Sequence, residues 1–79
     1  MTEVKILLNS IDKVKNFAEI LNKFEDTEFD VLSGRYVINA KSIMGLFSLD
    51  ITLPMDLQIM TNDEDTVNAV KESIADFLI

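Results

Sequence analysis

Two stretches of this chain bury one side of a helix, and everything between them has to fit that constraint. Val14, Phe17, Ala18, Leu21 and Phe24 recur at helical spacing early in the chain, while Lys13, Lys15, Asn16, Glu19 and Asn22 face away. Val67, Val70, Ile74 and Phe77 follow three, four and three residues apart near the end. Each stripe needs an apolar surface to cover it. Most other apolar residues alternate with polar ones, the period of a half-buried strand. Val4, Ile6 and Leu8 alternate with Glu3, Lys5 and Asn9, although Leu7 breaks the polar side. Phe29 and Val31 alternate with Glu28 and Asp30, and Met55, Leu57 and Ile59 with Asp56, Gln58 and Met60. Tyr36 and Ile38, or Val37 on the opposite parity, give one more strand. Ser33-Gly34 is a turn before it, which makes that pair antiparallel.

Local signals set the boundaries. Ser10 is a good N-cap and Asp12 sits in the first turn, so a helix is expected over about residues 11–24. Glu25-Asp26-Thr27 reads as a loop. Ser42 can cap a short helix through about Leu49, and Asp50 to Pro54 is a connection. Asn62 or Asp63 caps the last helix, with Asp63, Glu64 and Asp65 complementing its dipole. That helix is expected to run to Ile79. The order is βαββαβα in one domain, residues 1–79. It is an α+β arrangement with helices on one face of a four-stranded sheet.

Residue content removes several functions. With 79 residues the chain buries only about 60–65 % of its unfolded surface, so the core is small. It has no cysteine and no histidine, which excludes disulfides, thiolate metal sites and histidine acid–base chemistry. No metal or cofactor is expected. Asp63-Glu64-Asp65 reads as helix-start charge, Asp26 and Glu28 as loop and solvent-face residues, and no glycine-rich phosphate loop is present. An enzyme is therefore not expected. Fourteen acidic against seven basic residues, net −7, argue against nucleic acid. No apolar run approaches ~18 residues and no signal peptide is visible, so a cytoplasmic protein is expected.

One segment obeys neither rhythm. Six of the eleven residues from Asn39 to Leu49 are apolar, with Gly45 among them and Ser42 ahead of them. Gly45 costs about 1 kcal/mol of helix propensity, so it serves either close packing or a partner's approach to the backbone. In so short a helix some of Ile43, Met44 and Phe47 must remain outside. They form either a docking patch beside a modifiable serine or a lid that closes the core. Ser10 reads first as a plain cap and second as a phosphate acceptor at a helix N-terminus.

The run Val37-Ile38-Asn39-Ala40-Lys41-Ser42-Ile43-Met44-Gly45-Leu46-Phe47-Ser48-Leu49 closely resembles the regulatory-serine segment of HPr, the histidine-containing phosphocarrier of the bacterial sugar phosphotransferase system. The element order matches as well. The resemblance implies an open-faced β-sandwich with an antiparallel sheet. It places Ser42 at the serine phosphorylated by HPr kinase. It places Lys41, Ile43, Met44 and Phe47 on the surface that meets Enzyme I, HPr kinase and catabolite control protein A. Phe47 stands where methionine is common in the family.

The family's active-site loop runs approximately Gly-(Ile/Leu)-His-Ala-Arg-Pro-Ala. Here it reads Leu8-Asn9-Ser10-Ile11-Asp12-Lys13-Val14, about three residues shorter, with Ser10 at the histidine and Asp12 at the arginine. Without histidine no phosphohistidine forms. The resemblance thus implies a regulatory binding module rather than a carrier, and a monomer is expected. The alternatives are a phosphocarrier component using Ser10, or a diverged fold with an unrelated partner. Asp12 is expected to repel a phosphate on Ser42 where the family's arginine would attract it.

Overall fold

The computed structural model describes residues 1–79. Four strands, β1 (Thr2–Ile6), β2 (Glu28–Ser33), β3 (Tyr36–Asn39) and β4 (Met55–Met60), alternate with three helices, α1 (Ile11–Asn22), α2 (Ile43–Phe47) and α3 (Glu64–Ser73). A 3-10 turn at Ala75–Phe77 follows α3. The strands form one sheet in the order β1-β4-β2-β3, and every neighbouring pair is antiparallel. Gly34 turns β2 into β3 at φ +58°, a conformation that side-chain-bearing residues rarely adopt.

Register sorts the side chains. Val4 and Val31 both lie opposite Leu57, Phe29 opposite Ile59, and Ile38 opposite Val31. These residues share one face, and α1 and α3 cover it. Val14, Phe17, Ala18 and Leu21 of α1 join Val67 and Val70 of α3 in a core of 17 buried apolar residues. The two parities left open for β3 are thereby resolved. Ile38 belongs to the covered face, and Val37 pairs with Leu32 on the open one. No helix is long and apolar enough to cross a membrane.

Four boundaries differ from the sequence reading, one of them at α2, which ends at Phe47 with Ser48 as its C-cap rather than near Leu49. β1 ends at Ile6 rather than Leu8, because the Leu7 N–H donates to Phe77 O (2.9 Å) and the Asn9 N–H to Ile51 O (2.8 Å). Leu8 is buried all the same. α1 stops at Asn22, where the Lys23 and Phe24 N–H groups tighten onto Ile20 O and Leu21 O. The last helix does not reach Ile79. It ends at Ser73, Phe77 packs edge-on against Phe17 at 5.4 Å, and Leu78 turns extended to bridge Ile6. The Ile79 N–H then donates to Lys5 O (3.1 Å), covering part of an edge that would otherwise offer unpaired backbone.

Candidate functional site

Ser42 opens α2 from an extended backbone (φ −92°, ψ 107°), and its Oγ accepts the Gly45 N–H at 3.1 Å. Its backbone is held too: the Ser42 N–H donates to Asn39 O, and Ser42 O accepts from the Leu46 N–H, both at 3.0 Å. The residue is half-buried. Leu46 is the only fully buried member of the helix and anchors it to the core.

The other apolar residues of α2 face outward. Met44 is 84 % exposed, and Ile43 and Phe47 are each 39 % exposed. Of the two roles open from composition, the core-closing lid belongs to Leu46 alone. Gly45 is explained by packing. A Cβ on it would stand 2.6 Å from the Ile38 Cγ2, closer than real contacts allow.

Lys41 turns inward. Its ammonium donates to Phe24 O at 2.8 Å and lies 5.7 Å from the centre of the Phe29 ring. The Lys41 carbonyl accepts from the Asn22 side-chain amide (3.1 Å), which also donates to Ala18 O (2.8 Å). The sequence assigned Asn22 to the outward face, and nothing in its local spacing announces this tether.

Ser10 lies at the opposite end of α1. Its Oγ accepts the Lys13 N–H at 3.2 Å, so it is an N-cap as expected. Asn9 precedes it at φ +45°, a left-handed conformation that asparagine tolerates. Asp12 is exposed in the first turn. It stands ten residues from Asn22 on the helix, about 15 Å of rise. Since Asn22 touches the residue before Ser42, Asp12 and Ser42 sit toward opposite ends of α1, where solvent screening weakens direct repulsion.

Two further apolar residues are exposed close to this end of α1, Ile11 at 60 % and Leu53 at 54 %. Each is two residues from the Asn9–Ile51 hydrogen bond. Ile11 falls off the buried stripe, and that was the sequence signal for it. Asp50, just beyond α2, accepts from both the N–H (3.1 Å) and the Oγ1 (2.6 Å) of Thr52. These bonds, the hydroxyl's first and the backbone's second, hold its carboxyl below the usual aspartate range.

The clefts lie elsewhere. One of about 490 Å³ is lined by Met1, Thr2, Thr61, Asn62 and neighbours on α3, and one of about 300 Å³ by Asn16, Glu19, Lys23 and Phe77 among others. Neither is lined by Ser42, Met44 or Phe47.

Comparison with known proteins agrees with the fold. HPr-C-His from Thermoanaerobacter tengcongensis has a similar structure, with a TM-score of 0.75 and 24% identity over 96% of this chain and 92% of that one. The histidine-containing phosphocarrier protein of Mycoplasma gives 0.70 at 18% identity over 95% and 93%. These likenesses establish the fold. No curated protein matches the sequence. The family model described as the PTS HPr component phosphorylation site matches residues 13–78, beginning just after the Ser10 cap. The chain belongs to the HPr family of the phosphotransferase system.

Proposed function

We propose that this chain is a regulatory HPr protein that carries no phosphohistidine and is read by protein partners through Ser42 and α2. The observation that carries the reading is the complete absence of histidine from a chain of the HPr family. The residue at the family's phosphorylated position is Ser10, whose hydroxyl oxygen caps α1. A serine phosphate is a stable ester and a poor donor compared with a phosphoramidate. Transfer onward to a sugar-specific acceptor is thereby lost, while the Ser42 segment is retained.

In this reading Ser42 is the modified residue, and Ile43, Met44 and Phe47 supply the apolar contact. By resemblance the partners are HPr kinase, a catabolite control protein and Enzyme I-like proteins. A phosphate on Ser42 adds about −1.5 to −2 charge beside an exposed methionine and a half-exposed phenylalanine. That change alters which surfaces α2 can meet. The protein is not a catalyst, works without a cofactor, and acts in the cytoplasm.

Labelled phosphoenolpyruvate with Enzyme I tests the loss of carriage. The expected result is no label on the protein. Label recovered on Ser10 would instead make it a phosphocarrier with a hydroxyl acceptor.

A further inference from the structure

The segment from Lys41 to Ile51 runs alongside α1 and is tied to it at both ends. At the start, the Asn22 amide reaches Lys41 O and the Lys41 ammonium reaches Phe24 O. At the finish, the Asn9 N–H reaches Ile51 O. α2 hangs between these ties, and within α2 only Leu46 is fully buried.

α1 has no basic residue in its last turn. A helix C-terminus exposes carbonyls and a partial negative charge, which a cation stabilises. The C-cap itself is Lys23, and a second cation, from the residue before the serine, reaches the Phe24 carbonyl just past the helix. One side chain therefore ties the turn that follows α1 to the entry of α2. Asn22 repeats the pattern with its amide, since a single side chain serves both Ala18 O in the helix and Lys41 O outside it.

We propose that Lys41 and Asn22 are positioning residues: together they hold the Ser42 cap and α2 in the pose that partners and kinase meet, and Lys41 acts inward rather than as a partner contact. This rests on the reading of Ser42 and α2 as the working surface. It adds the device that sets their pose. The consequence is specific. Loosening either tie frees α2 while leaving the sheet, whose pairing involves neither residue, as it was.

The experiment compares the wild-type chain with Lys41→Met, Lys41→Arg and Asn22→Ala by amide hydrogen exchange resolved at single residues. Under native conditions Lys41→Met and Asn22→Ala are expected to speed exchange at Gly45 and Leu46 about fivefold, the factor for one net hydrogen bond, with Phe29 and Leu57 unchanged. Lys41→Arg keeps a cation and donor and is expected to restore most of the protection. Equal acceleration at Phe29 and Leu57 would reduce the two residues to general stabilisers and overturn the proposal. Unchanged exchange at Gly45 would overturn it as well.

A second arm uses HPr kinase with ATP on the same variants. The expected outcome is a higher KM restored by Lys41→Arg, in step with the exchange data. A raised KM in Lys41→Met with wild-type exchange would make Lys41 a direct kinase contact, contrary to the proposal. If the kinase leaves even the wild-type chain unmodified, the functional reading fails, and the exchange arm still decides the positioning claim.

Discussion

Ile38 lies directly beneath Gly45, with its Cγ2 2.6 Å from where a Cβ on that glycine would be. β3 and α2 are therefore locked at a distance only glycine allows. Gly45→Ala should gain about 1 kcal/mol of helix propensity and lose about 1–3 kcal/mol to overpacking, for a net loss measured by urea unfolding. In an Ile38→Ala background the penalty should largely vanish, giving a coupling of at least about 0.5 kcal/mol. An equal loss in both backgrounds would mean that Gly45 is kept for some other reason.

The hydroxyl of Ser42 caps Gly45 with one hydrogen bond. Ser42→Ala should cost about 1 kcal/mol, while Ser42→Asp, which keeps an acceptor at the cap, should stay within about 0.5 kcal/mol of wild type. Urea midpoints for the three proteins check this. A harmless Ser42→Ala would show that α2 is held by Leu46 alone.

Phe17 and Phe77 meet edge-on at 5.4 Å, joining α1 to the 3-10 turn that replaces the end of the last helix. Phe77→Ala should cost about 3–5 kcal/mol. A cycle with Phe17→Leu and Phe77→Leu should return about 0.5–1.5 kcal/mol of coupling, the usual range for such ring pairs. Additive losses would deny the contact any value beyond burial.

Asp50 is stabilised as the anion by Thr52. Its pKa in the folded state is therefore lowered, so the stability it contributes is present in full above 3.8 and drains away as pH falls through the folded value. The carboxyl is solvent-exposed, so the effect is small. NMR titration of the Asp50 side chain should give a midpoint below 3.8, and Thr52→Val should raise it. A midpoint that ignores Thr52 would place the cause elsewhere.

The sheet and the two long helices were legible in the sequence because burial on one face writes a period. Val67, Val70, Ile74 and Phe77 are all buried as that period requires. The same stripe misled at the end of the chain. Its spacing cannot distinguish a continuing helix from a 3-10 turn that also buries Phe77, and the choice is made by β1, whose Lys5 carbonyl takes the Ile79 N–H. α1 is similar, since its last residue, Asn22, and the turn after it are tied to Lys41, 19 residues beyond Asn22. The caps Ser10 and Ser42 were readable because their partners are three residues away. The direction of Lys41 was not, because a lysine beside a serine has the same sequence whether it points outward or into the fold.

The most direct test of the regulatory reading is mass analysis of the intact protein and its peptides after incubation with HPr kinase and ATP. The account predicts a single added phosphate on Ser42, absent from Ser42→Ala. An unmodified wild-type chain, under conditions that fully phosphorylate a histidine-bearing HPr, would contradict it.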